Sequence, residues 1–292
     1  MRGEQSDSSR ARGEVIRLEK DRIIAEIDAQ CRAMRIRVLA GGGTVFTAGG
    51  LISPAISPAA SLVVDPASFH HLLAHLRQQG WTAQAPERES RVLPSSTMTL
   101  AHPDWVAGLH LFSVIPGFFA DPEVTFDVLW ERRQHILING MRVPALDRIA
   151  TAMFATHDRL SGRRLRSSNF QFFATQFERA FTESDKADLR LLIKQVGASN
   201  EMKPLLLALG IEPLPPTLPS HWYTCWRLEI EDPSDEIVVM LALIEASPDR
   251  RRVLLWSMLD PRSAAQNWRT IRTARTTIRA FTRARRRALA AR

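Results

Sequence analysis

The sequence predicts an α+β fold: a small mixed β-sheet core followed by a helical C-terminal region. Three observations carry that reading. In the first half, short apolar runs of strand length alternate with stretches whose apolar residues recur at three and four. Asn139-Gly140 lies between the apolar triplets Ile136-Leu137-Ile138 and Met141-Arg142-Val143, a hairpin signal. From Ala145 to Ala208 the pattern is helical and Arg-rich. The expected organisation is a polar disordered tail over 1–12, an α/β core over 13–145 and a helical region over 146–212. A Pro-rich connector over 213–220 and a C-terminal helical region over 221–292 complete it.

Each element has its own warrant. Ile16, Ile23, Ile24, Ile27, Cys31 and Met34 share one face of a helix over 13–35. Ile36 to Ala40 reads as a short strand running into Gly41-Gly42-Gly43, a sharp turn. Residues 45–51 suit a short helix, and 52–59, with Pro54 and Pro58, a loop. Ser61-Leu62-Val63-Val64 is a buried strand. Asp65-Pro66 then starts a helix, with a carboxylate cap and proline at the first helical position. Phe69, Leu72, Leu73 and Leu76 form its apolar face, and Gly80 ends it. Residues 91–112 read as extended, 125–133 as helical, and 136–143 as the hairpin. Trp268, Ile271, Ile278 and Phe281 place a stripe on a long last helix.

Composition narrows the function classes. With 292 residues, 45% hydrophobic and 24% charged, the chain is neither a disordered nor a disulfide-stapled type. Its longest apolar run, 237–244, is far short of the about 20 residues that span a bilayer. Residues 1–12 contain no apolar signal core, and Cys31 and Cys225 stand apart from one another, so a cytoplasmic location is expected. The net charge of +8 is a property of the end of the chain: ten Arg and no acid lie in 261–292. Elsewhere 29 Lys and Arg face 31 Asp and Glu.

Several pieces in order resemble a known family. They are Val38-Leu39-Ala40-Gly41-Gly42, then Ser61-Leu62-Val63-Val64 with its helix ending at Gly80-Trp81, then Leu109-His110-Leu111. Leu129-Trp130-Glu131-Arg132, the hairpin and Val143-Pro144-Ala145-Leu146-Asp147-Arg148 follow. This resembles the uncharacterised bacterial nucleotidyltransferase family of the polymerase-β-like superfamily, over about residues 14–165. Leu254-Leu255-Trp256-Ser257-Met258-Leu259-Asp260-Pro261 resembles the family's closing segment. The resemblance implies a nucleoside triphosphate substrate and Mg²⁺ held by carboxylates that clamp the attacking and leaving oxygens. It also implies an acceptor that is a peptide, saccharide or small molecule.

Position by position, the resemblance places the family's glycine on Gly42 and its lysine on Gly41. Its Asp-x-Asp strand falls on Ala59-Ala60-Ser61, and its third carboxylate on Gly108. None of these positions holds an acid. Either the register is displaced or the chain has lost metal-dependent transfer, and both readings stand at this point. The nucleotide-binding candidates are Gly41, Gly42, Gly43, Thr44, Ser61 and His110, with triphosphate held by backbone N–H groups of the turn. The expected function is thus that of a nucleotidyltransferase-family protein, degenerate at the metal carboxylates. It would act as a transferase or as an accessory binding protein in a bacterial biosynthetic pathway.

Plainer readings compete elsewhere. Asp65 caps a helix, and Asp121, Glu123 and Asp127 form a helix-start cluster. His71 and His75 lie off the apolar stripe, as surface residues, and Glu229 and Glu231 form a solvated face. His110 on an apolar run suits a satisfied structural histidine as well as a site residue. The Arg-rich residues 262–292 suit a packed helix, a nucleic-acid contact with steep salt dependence, or a contact with an acidic partner protein or membrane surface. The alternative function is therefore non-enzymatic binding of nucleic acid or a partner through that last helix.

Overall fold

A computed structural model describes residues 2–48, 59–84, 97–161, 167–218 and 223. The chain divides into two units, Met1–Glu89 with Ser95–Pro219, and Ser90–Pro94 with Ser220–Arg292. All elements below belong to the first. The second lies outside the described residues except Tyr223, and with it the expected last helix, its Trp268/Ile271/Ile278/Phe281 stripe, Glu229, Glu231 and the family-like closing segment. Residues 52–58 of the loop expected over 52–59, and 91–96 of the segment expected as extended over 91–112, lie outside them too, while Ala59 is strand rather than loop.

The chain opens with α1 (Arg2–Met34), followed by β1 (Val38–Gly41), α2 (Gly43–Ala48) and β2 (Ala59–Val64). The disordered tail expected over 1–12 is corrected: the helical backbone begins at Arg2. Extending an established helix fixes one residue per hydrogen bond gained, so the helix of the apolar stripe continues toward its N-terminus at little cost. Asp65 does cap, its Oδ1 accepting from the Ala67 N–H, but the first turn is 3₁₀ (Pro66–Ser68) before α3 (Phe69–Gln78) begins.

Next come β3 (Thr82–Ala83), β4 (Thr97–Ala101), β5 (Gly108–Phe112) and α4 (Pro122–Glu131). The two-residue β3 carries no sequence signal and was not expected. Asp121 caps α4 through Oδ1, which accepts from the Glu123 and Val124 N–H groups. The helix-start reading of that acidic cluster therefore holds. The hairpin forms as β6 (Gln134–Ile138) and β7 (Met141–Ala145). Asn139 and Gly140 have φ of +50° and +76°, the positive pair a type I′ turn requires.

Four helices follow: α5 (Arg148–Ser161), α6 (Ser167–Ala180), α7 (Glu183–Gln195) and α8 (Ser199–Ala208). Thr182 and Asp185 form a capping box at the start of α7. Residues 213–218 of the connector adopt no regular element.

The strands form one mixed seven-stranded sheet in the order β3-β4-β5-β2-β1-β7-β6. The central pairs are β1 with β2 (antiparallel) and β2 with β5 (parallel). Alternation along the strands sends side chains to two cores. Ala40, Ala60, Leu62, Val64, Leu109 and Leu111 pack with Ile23, Ile24, Ile27 and Cys31 of α1 and with the Leu72/Leu76 face of α3. Leu39, Val63 and Phe112 point the other way, into a core with Met153, Phe177, Leu192 and Leu205 from α5 to α8. The helical region thus shares a core with the sheet. Each wholly buried Leu, such as Leu39 or Leu62, stabilises by about 2 kcal/mol.

An ion-pair clamp ties the helices to the sheet. The Arg132 Nη1 and Nη2 donate to both Asp188 carboxylate oxygens at 2.8 and 2.6 Å. Nη2 also lies 2.7 Å from Asp147 Oδ2. Arg132 and Asp147 both belong to segments that carry the family resemblance, so their contact gives those two segments a structural role.

Candidate functional site

The site candidates meet because of strand register. Gly41 at the end of β1 pairs with Ser61 of β2; Ser61 pairs with His110 of β5, and His110 with Thr99 of β4. Ala59 pairs with Gly108 beside them. Residues 59, 61 and 63 share one face, as do 108, 110 and 112. Val63 and Phe112 of these series enter the core shared with α5, so the whole row looks toward the helical layer. The His110 ring meets Phe112 edge-on at 6.2 Å, and Phe112 meets Phe154 edge-on at 5.2 Å. A Cβ on Gly41 would sit 3.6 Å from Leu146 Cδ1. The row therefore borders an aromatic and aliphatic wall.

Glycine has different reasons at different positions. Gly42 has φ of +77°, and a Cβ there would lie 3.3 Å from Ser61 Oγ, so a side chain would be both strained and crowded. The Gly42 carbonyl accepts from the Phe46 N–H at 3.0 Å and starts α2. At Gly108 a Cβ would meet the Leu100 carbonyl oxygen at 3.2 Å. Thr44 lies in the first turn of α2.

Gly41, Gly42, Gly43, Ser61 and His110 are thus brought to one end of the central strands, together with Ala59 and Gly108. Tested against Mg²⁺, this donor set does not fit. It offers one hydroxyl, one imidazole and no carboxylate, whereas a hard dication takes several oxygen ligands, anionic ones foremost. Among the described residues no group of three His, Cys, Asp or Glu is placed to hold a metal ion.

Sequence reasoning missed a cation at this end of the sheet. Lys20 of α1 is 3% exposed, and its Nζ lies 3.4 Å from where a Cβ on Gly43 would be. Burial pulls its pKa below the ordinary lysine value, with the neighbouring Asp21 carboxylate pulling the other way. A signal was present: Lys20 is four residues after Ile16 and three before Ile23, a charge on the apolar stripe itself. Its neighbour Glu19 fixes α1 over the same end of the sheet. Glu19 Oε2 accepts from the Val106 and Ala107 N–H groups at 3.0 and 2.9 Å, just before β5.

The other candidates sit apart. Asp65 binds Arg37, with Nε at 3.0 Å, and Arg37 also binds Asp127 at 2.8 Å; these groups brace α4 against the far end of β1. His71 is exposed, as expected, and His75 Nε2 lies 3.2 Å from Gln79 Nε2. A groove of about 780 Å³ runs along α1, lined by Glu19, Arg22, Trp81, His102 and Trp105 among others, with the Arg22 guanidinium 5.0 Å above the Trp105 ring. Cys31 is buried, and its thiol is pushed up to about 12 by desolvation and the Asp28 charge, so it is no nucleophile. No helix among the described residues is long and apolar enough to cross a membrane.

Solved structures similar to this chain include an adenylyltransferase and a nucleotidyltransferase-like protein. One is the lincosamide antibiotic adenylyltransferase LnuA with lincomycin bound, 15% identical, covering 56% of this chain and 90% of its own, with a TM-score of 0.32. Another is an antigenic nucleotidyltransferase-like protein from Paracoccidioides brasiliensis, 13% identical, covering 65% of this chain and 87% of its own, with a TM-score of 0.36. Likeness at this level does not establish a family. No family model matches the chain, and no curated protein matches it.

Proposed function

We propose that this protein is a nucleotidyltransferase-like accessory protein that holds the phosphates of a nucleotide and does not carry out metal-assisted nucleotidyl transfer. The observation that carries the reading is the pairing of Ala59 with Gly108 beside the Gly41–Ser61–His110 row. Those positions were assigned to the metal carboxylates by sequence resemblance alone. Residues 59 and 108, nearly fifty positions apart in sequence, are direct strand partners, an arrangement that would let side chains there reach one metal site. That coincidence supports the register of the resemblance, and so favours loss of the acids over a displaced alignment. Without carboxylates, nothing at the row offsets the charge of a metal pair, and transfer by the two-cation route has no foundation. Phosphate recognition survives such a loss, because it draws on backbone N–H groups and a hydroxyl.

The test pairs two measurements on the full chain. Binding of each of the four common nucleoside triphosphates is followed by calorimetry. Pyrophosphate release is followed with Mg²⁺ or Mn²⁺ present. Binding without release is expected. Release that disappears in Glu19→Gln or Asp21→Asn would overturn the proposal and reinstate an enzyme with acids in unexpected places.

A further inference from the structure

We infer that the groove along α1 binds a small organic cation, an amine or guanidinium on an apolar body, held against the Trp105 indole and the carboxylates of Glu26 and Asp104. This site is separate from the row of the nucleotide reading. Trp81 and Trp105 pack on the core shared with α1 and α3, across the sheet from the helical layer that the row faces.

The groove has the size of a ligand site: about 780 Å³, where such sites hold about 300–1,000 Å³. One wall is a ridge of α1, Leu18, Arg22 and Glu26, which four-residue spacing places on one helix face. The other wall is the connection between β4 and β5, with His102, Asp104 and Trp105. Glu19 pins the two walls together, its Oε2 accepting from the Val106 and Ala107 N–H groups at 3.0 and 2.9 Å. His102 is held as well. Its Nδ1 accepts from the Asp104 N–H at 3.2 Å, and its Nε2 lies 2.9 Å from the Gln79 carbonyl oxygen, which places the proton on Nε2.

The walls select a cation. Three carboxylates line the groove, Glu19, Glu26 and Asp104, against one guanidinium, that of Arg22. Asp104 lies 3.8 Å from His102 Nδ1, an unprotonated nitrogen, so the imidazole does not neutralise it. Glu26 stands one turn beyond Arg22, the spacing of a helical ion pair. Yet the Arg22 guanidinium lies over the Trp105 ring, 5.0 Å from its centroid, and forms no ion pair among the described residues. The electron-rich face of the indole thus already draws a cation from the protein itself. Arg22 is exposed, and a ligand's cation would displace it from the ring. Leu18, 53% exposed, offers apolar surface for the body of the ligand. A metal ion does not suit this arrangement, because among the described residues no three His, Cys, Asp or Glu are placed to hold one. A neutral ligand would make no use of the carboxylates, and an anion would be repelled by them.

The experiment titrates the full-length chain by ligand-observed NMR with agmatine and phenethylamine. Phenethyl alcohol is the neutral counterpart and phenylacetate the anionic one. Both cations are expected to bind at least about tenfold more tightly than the alcohol or the anion. Trp105→Ala is expected to weaken them about fivefold or more, and Glu26→Gln about threefold. Arg22→Gln is expected to strengthen them about threefold or more, since it clears the ring and removes the positive charge of the walls. Arg22 and Glu26 are exposed, so these two variants carry the test if Trp105→Ala does not fold. Equal binding of amine and alcohol, weaker cation binding in Arg22→Gln, or no binding of either cation overturns the inference. None of these outcomes bears on the nucleotide reading, whose row lies across the sheet.

Discussion

Restoring the missing charges gives a direct test of the strand register. In an Ala59→Asp/Ser61→Asp variant, two carboxylates would stand on one face of β2, two residues apart and so about 6.7 Å between Cα atoms. With the carboxylates about 5 Å apart and an effective dielectric constant of about 20, their repulsion is about 3 kcal/mol. Both positions are 6% exposed, so little of that is relieved by water. The variant should therefore melt below the parent when metal is absent. A divalent cation held between the two acids reverses the sign. At a hundredfold excess over its Kd it stabilises by about 2.7 kcal/mol. For a folded unit of about 200 residues that is a rise of about 5–11 °C in Tm. The assay is thermal unfolding with and without Mg²⁺ or Mn²⁺, with Ala59→Asn/Ser61→Asn as the uncharged control. A metal response confined to the aspartate variant is expected. If its Tm ignores metal, the two side chains do not converge on a common site, and the placement of the family's ligands on 59 and 61 is wrong.

Three further outcomes follow from the packing. Gly117 has φ of +87°, and a Cβ there would lie 2.7 Å from Glu201 Cγ, so Gly117→Ala combines backbone strain with a clash against the Glu201–His157 pair. A loss of about 2 kcal/mol or more in denaturant unfolding is expected. The Arg132 guanidinium holds the Asp188 carboxyl below its ordinary value, and the Thr182 backbone N–H does the same for Asp185. Folded values below the unfolded ones mean that their stabilisation is present above about pH 3.9 and is lost as pH falls below it. Asp188→Asn should therefore flatten the acid limb of the Tm–pH curve, and an unchanged limb would refute the assignment. The Cys31 thiol should resist iodoacetamide in the native protein near pH 8 and react only on unfolding, as read by mass spectrometry of its peptide.

The sequence by itself determined the elements whose signals are local. The stripe from Ile23 to Met34 marks α1, Asp121-Pro122 marks the start of α4, and Asn139-Gly140 marks the hairpin. In each case the deciding interactions span a few residues, so periodicity, a cap or a positive φ suffices. Resemblance to a family then named Gly41, Ser61, Gly108 and His110 as positions of one site, without giving the strand register that would bring them together. Only the tertiary structure decided that. The Gly41–Ser61–His110 row exists because three strands from distant parts of the chain settle in one register, and register depends on which faces are buried against which helices. Lys20 shows the limit most clearly. Along the chain it is a charge interrupting an apolar stripe; only the packing of α1 across the sheet brings its ammonium under Gly43, where a solvated lysine becomes a buried cation.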